Sequence, residues 1–267
     1  MSATRRTLHH QGRTRRYIEV SSGADPHTLV LFLHGSLQSG SVARNFTGHT
    51  FDQLASETTT VVYPDGVDRH FNDLRRDFGE SARTLGVDDV GFLTELIRLY
   101  SPSRVIGCGF SNGGQMLLRM LFDAPRTLDG VALFGASAPA PGNTLCAEDN
   151  WVPTPILTVQ GTADPIVPYG GGVAGIAESN RGLTRSALDS ARYLAGLNHA
   201  GAHRTRHPRD GVRVDAFTGG AGSAPVELWS IEGMGHLVPS PKKLDVRLGP
   251  GTDKVVGAQL VRDFFGL

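Results

Sequence analysis

The stretch Arg104-Val-Ile-Gly-Cys-Gly-Phe-Ser-Asn-Gly-Gly-Gln-Met116 sets Ser111 in the pattern Gly-x-Ser-x-Gly, between a β-branched apolar run and a helix-forming one. A strand that becomes a helix at that point must pass through a very tight corner. Side chains two residues before and two after the serine would collide there, and Gly109 and Gly113 occupy those places. The corner holds Ser111 out above a sheet edge. The helix that follows aims its first amides at the space beside the hydroxyl, where charge develops when a carbonyl is attacked. A chain with 34 glycines produces such spacings by chance, so the flanks Val105-Ile106 and Gln115–Leu121 carry the reading. A dinucleotide fingerprint fails on spacing, because Asn112 stands where its third glycine belongs.

Around this corner the hydrophobic pattern alternates between two periods. Strand-like runs occur at Arg13–Val20, Thr28–Leu33, Thr59–Tyr63, Gly130–Phe134, Ile156–Gln160, Val212–Phe217 and Val226–Ile231. Helical spacing marks Val87–Tyr100, Leu183–Leu197 and Lys254–Phe265, with Pro102 closing the first. Leu29–Leu33 is a continuous apolar run, as in a strand buried on both faces. The alternation predicts an α/β fold: a doubly wound, mostly parallel sheet with helices on both faces. No repeat, charge block or linker divides residues 1–267, so one domain is expected, without a large lid. Tyr169–Gly182, rich in glycine, reads as a mobile loop.

A chain of 267 residues with 39% hydrophobic content can bury a substantial core. Its 26 basic and 26 acidic residues balance, which gives no field favouring nucleic acid or an anionic membrane. A small or oligomeric neutral molecule is the expected partner; the sequence is silent on oligomeric state. Met1–His10 is basic but lacks the apolar region of a secretory signal, so the expectation is a cytoplasmic chain, or an exported one if a leader was removed. Cys108, on the strand entering the corner, reads as a buried free thiol, and a disulfide to Cys146 is not indicated. His9, His10, His199, His203 and His207 lack metal-like spacing and read as surface residues, and no metal is expected.

A serine hydroxyl needs a base and an orienting carboxylate to act as a nucleophile. Gly161-Thr-Ala-Asp164 places Asp164 just past one strand, and Glu232-Gly-Met-Gly-His236 places His236 just past a later one. In a parallel sheet these ends share one edge, so Ser111, Asp164 and His236 are expected to converge there. His236 would take the Ser111 proton and Asp164 would hold the imidazole tautomer. His34-Gly35-Ser36-Leu37-Gln38 follows the first long strand. The Ser36 amide, with Leu37 the near alternative, and the Asn112 amide are the expected oxyanion donors, and His34 reads as a brace for the loop.

These motifs together resemble the polyhydroxybutyrate depolymerase-like esterases, which group with feruloyl and acetyl xylan esterases among the α/β-hydrolases. The resemblance runs from about Thr14 to His236 through Leu33–Gln38, Tyr63–Gly66, Phe71–Asp73, Asp88–Leu93, Gly109–Gly114, Gly161–Pro165 and Gly235-His236. It implies hydrolysis of carboxylic esters through an acyl-enzyme, without metal or cofactor. The family often carries Trp-Pro after the histidine; here Leu237-Val238-Pro239 stands instead, which makes Leu237 a candidate pocket residue with Leu37. Asp73 lies where relatives shape the site entrance, or it caps a helix. Peptidase or lipase activity on the same triad, and a slow-turnover receptor that keeps it, are the alternatives.

Overall fold

The computed structural model describes residues 1–23, 27–176 and 179–267. In chain order the elements are β1 (Ser2–His10), β2 (Arg13–Ser21), β3 (Thr28–Leu33), α1 (Gly40–Phe46), β4 (Thr59–Pro64), α2 (Ser81–Thr84), α3 (Asp89–Tyr100), β5 (Arg104–Phe110) and α4 (Asn112–Asp123). They continue as β6 (Gly130–Phe134), β7 (Ile156–Gly161), β8 (Gly172–Ile176), β9 (Ser179–Thr184), α5 (Ala187–Leu197), β10 (Ala202–Arg209), β11 (Val212–Thr218), β12 (Val226–Ile231) and α6 (Gly257–Phe265).

Ten strands form one sheet in the order β1-β2-β4-β3-β5-β6-β7-β12-β11-β10. Its centre, β4-β3-β5-β6-β7-β12, is parallel throughout, and antiparallel pairs flank it on both sides. Alternate side chains of the central strands feed two cores. Leu29, Leu31 and Leu33 of β3 face α3, α4 and α5, whereas Val30 and Phe32 face α1, α6 and a short 3-10 turn at Thr50–Leu54. Phe32 packs edge-on against Phe51 at 4.5 Å. Apolar burial on both faces is what made β3 legible as a continuous hydrophobic run. The expected doubly wound sheet is present, and no large lid covers it among the described residues.

Four local readings change. β1 and β10 were not foreseen, because every residue of β10 is exposed and β1 is exposed at all but Leu8 and His10. Each is recruited by backbone pairing to its neighbour, and neither has an apolar face to reveal it; their charges suit edge strands. Tyr169–Gly182, expected to be a loop, contributes the paired strands β8 and β9, where Gly175 (φ +152°) sits at a register shift in place of a regular alternation. Leu183 belongs to β9, and α5 begins only at Ala187, where Ser186 Oγ caps it by accepting the Asp189 amide at 3.0 Å. His10 is not a plain surface residue. It is half-buried between Glu95 (2.6 Å) and Asp88 (3.3 Å). Cys108 is buried and free, as expected, and Cys146 is free as well. No helix among the described residues is long and apolar enough to cross a membrane.

Candidate active site

The corner after β5 has the expected strain. Ser111 adopts φ +52° and ψ −114°, a backbone conformation held by its surroundings. Its amide donates to Phe134 O on the adjacent strand at 2.8 Å. The need for glycine is steric. A Cβ on Gly113 would lie 2.2 Å from Leu33 O, and one on Gly109 would lie 2.6 Å from the Gly113 carbonyl carbon. β5, α4 and the end of β3 therefore meet backbone to backbone, which fixes the serine at the C-terminal edge of the sheet.

Asp164 and His236 arrive at the same edge from the ends of β7 and β12. His236 Nδ1 lies 2.7 Å from Asp164 Oδ2, and both side chains are buried. A carboxylate can only accept, so Nδ1 carries a proton, and in the neutral ring Nε2 is then the acceptor. Asp164 is itself fixed: its Oδ1 accepts the amides of Ile166 and Val167, each at 2.8 Å. The His236 ring sits 4.8 Å from that of Phe110, next to the serine. A Cβ on Gly135 would stand 2.9 Å from His236 Cε1 and 3.4 Å from the Phe110 ring, so His236 and the elbow share one wall. No hydrogen bond joins Ser111 Oγ to His236 among the described residues; such contacts are often long before substrate binds.

The loop after β3 lies against Ser111. A Cβ on Gly35 would lie 3.5 Å from Ser111 Cβ. Ser36 and Asn112 amides have no acceptor among the described residues. The Leu37 amide is spent on Arg69 O at 3.0 Å, which removes Leu37 as the alternative donor and leaves Ser36. Ser36 Oγ is buried and also unpartnered. His34 braces this loop as expected, with Nδ1 donating to Gly35 O at 2.7 Å and Nε2 accepting the Gly66 amide at 2.9 Å. Burial lowers the His34 pKa from 6.5 to about 4, so the ring is neutral, as this pair of bonds requires.

Two candidate pocket residues are corrected. Asp73 is fully buried, so it lines no entrance, and it caps no helix; it accepts from Asn112 Nδ2 at 2.7 Å and pairs with Arg75 at 2.5 Å. Leu237 is only 4% exposed, because the chain after His236 turns inward and Pro239 O accepts the Gly257 amide at 2.8 Å. Its side chain joins the core on the α6 side of the sheet. Leu37, at φ +64°, is 59% exposed at the tip of its loop. A buried pair missed in the sequence, Arg15 with Asp89 at 2.6 Å, holds the Asn72 amide through the second Asp89 oxygen at 2.7 Å. The paired acids Asp88-Asp89 were its only signal: Asp88 caps α3, and Asp89 points inward.

Residues 93–199, which include Ser111 and Asp164, match the phospholipase/carboxylesterase family model. Solved structures align along nearly the whole chain. TT1662 from Thermus thermophilus does so at TM-score 0.58 and 15% identity, covering 100% of this chain and 98% of that one. A Bacillus cereus carboxylesterase gives TM-score 0.56 at 15% identity over 94% and 93% of the two chains. Esterase PE8 gives 0.55 at 17% identity over 94% and 96%. The chain has an α/β-hydrolase fold. Within this fold the order Ser111, Asp164, His236 follows the strand order β5, β7, β12. In sequence it is similar to the putative esterase NocK of Nocardia uniformis subsp. tsuyamanensis, at 29% identity over 232 residues and 80% of this chain. It spans 64% of the length of that relative. Among the described residues no group of histidine, cysteine and carboxylate side chains could hold a metal ion.

Proposed function

We propose that this chain is an α/β-hydrolase and, more narrowly, a serine carboxylesterase acting through an acyl-enzyme. The observation that carries the reading is the oriented pair His236–Asp164, at 2.7 Å, on the same sheet edge as a serine in a strained elbow. His236 Nε2 takes the Ser111 proton as Oγ bonds to the ester carbonyl carbon. The oxygen that becomes negative is received by the free amides of Ser36 and Asn112. His236 then gives its proton to the leaving alkoxide as the ester C–O bond breaks. Water repeats the sequence on the acyl-enzyme: His236 takes its proton, hydroxide oxygen bonds to the acyl carbon, and Ser111 recovers its hydrogen as the acid leaves. The likeness to NocK and to the phospholipase/carboxylesterase model supports ester bonds as the target.

Ser111 is only 7% exposed, which favours small soluble esters over a solid polymer. Short hydroxyalkanoate oligomers and feruloyl or acetyl esters are the substrate classes proposed, with Leu37 as the exposed apolar contact at the mouth. The test is turnover of 4-nitrophenyl acetate together with labelling by a fluorophosphonate. Ser111→Ala should abolish both while the circular dichroism spectrum is kept. Undiminished hydrolysis by that variant would overturn the assignment.

A further inference from the structure

The two amides of the oxyanion hole come from loops 76 residues apart in sequence, yet one segment, Gly66–Arg75, holds both. On one side the Gly66 amide donates to His34 Nε2 at 2.9 Å and Arg69 O accepts the Leu37 amide at 3.0 Å, which fixes the loop carrying Ser36. On the other side Phe71 and the Asn112 side chain exchange two bonds, Phe71 N–H to Oδ1 at 2.8 Å and Nδ2 to Phe71 O at 2.9 Å. The second Nδ2 proton goes to Asp73 Oδ2 at 2.7 Å. Both protons of the Asn112 amide are thus used. Because a carboxylate only accepts, Asp73 also decides which way round that amide lies.

Asp73 has no surface exposure and cannot touch substrate. It is held in turn by Arg75, whose amide donates to Oδ1 at 2.9 Å and whose guanidinium reaches Oδ2 at 2.5 Å. The Asp73 carbonyl also accepts from Arg83. A lone carboxylate behind an oxyanion hole would oppose the charge that forms there, and the Arg75 cation cancels it. The pair therefore orients Asn112 without leaving a negative field at its backbone. From this geometry we infer that Asp73 is a positioning residue of the oxyanion hole, acting through the Asn112 side chain to set the Asn112 backbone N–H. This role rests on the serine esterase reading above.

Asp73→Ala and Asn112→Ala both keep the backbone amide and remove its support. Each should lower kcat per titrated active site by about 10- to 100-fold, less than or comparable to deleting a donor outright. KM for 4-nitrophenyl acetate should move by no more than about threefold, since ground-state binding does not use the hole. Affinity for a trifluoromethyl ketone, whose adduct places an oxyanion there, should fall in parallel with kcat/KM. The double variant should be no slower than the slower single one, because both act on one linkage. Asp73→Asn, which can still accept from Nδ2, should restore most of kcat. A merely structural Asp73 would lower thermal stability and leave kcat per active site and ketone affinity unchanged, and that result overturns the inference. If Asp73→Ala fails to fold, Asn112→Ala decides alone: unchanged kcat refutes the linkage. Ser111→Ala is run beside them; if it stays active, the esterase reading has failed instead.

Discussion

His236 Nδ1 and Asp164 Oδ2 stand 2.7 Å apart, and the other oxygen of that carboxylate is held by two amides of its own loop. The carboxylate cannot rotate away from the imidazole without breaking those bonds. In the proposed mechanism its part is to keep the proton on Nδ1 and so leave Nε2 free. Asp164→Asn offers a donor where an acceptor is needed and favours the wrong tautomer. We expect kcat for nitrophenyl esters at neutral pH to fall by about 10³- to 10⁴-fold with the fold intact. Retention of more than a tenth of the activity would contradict that role.

The elbow glycines give a steric prediction. The methyl of Gly113→Ala would sit 2.2 Å from Leu33 O and 2.7 Å from His34 O, both backbone atoms that cannot swing aside. Stability should drop by about 3 kcal/mol or more, and activity should vanish with it. Gly79→Ala is the control, since nothing lies within 4 Å of its added Cβ. Equal melting temperatures for the two variants would refute the packing argument.

Acid sensitivity should trace to His34. The unfolded chain takes up a proton on this ring near pH 6.5, the native chain only at about 4. The unfolded state therefore binds more protons in that interval, and stability falls as pH drops from 6.5 towards 4. The contribution is about 3 kcal/mol for a shift of that size. Urea denaturation at pH 7 and pH 4 should show the native chain losing about 3 kcal/mol more than His34→Asn. Identical losses in the two proteins would exclude His34 as the source.

Arg15 and Asp89 are both buried and 2.6 Å apart. Arg15→Met leaves the Asp89 charge without its partner inside the protein and should cost about 3–5 kcal/mol at neutral pH. Chemical denaturation measures it directly. A cost below about 1 kcal/mol, the range of surface pairs, would mean that water reaches Asp89.

Much of the candidate site was legible because its elements carry local signals. β3 and β5 are apolar runs, Gly109 and Gly113 are demanded by one corner, and Asp164 and His236 directly follow strands in a fixed order. The edge strands β1 and β10 gave no such signal, since a strand exposed along nearly its whole length has no apolar face. The paired strands β8 and β9 were hidden for a related reason: their glycines resemble a loop, and their pairing shifts register at Gly175.

Asp73 and Leu237 mark where sequence reasoning stopped. The resemblance to relatives suggested that each lined the site, yet both side chains turn inward, one to Asn112 and the other into the core. The sequence by itself determined the parallel centre of the sheet and the elbow, and put Asp164 and His236 directly after strands, because each depends on neighbours close in the chain. Only the tertiary structure decided what stands behind them. The partners of Asn112 and His34 come from a segment tens of residues away, and contacts between distant segments leave no periodicity in the chain to read.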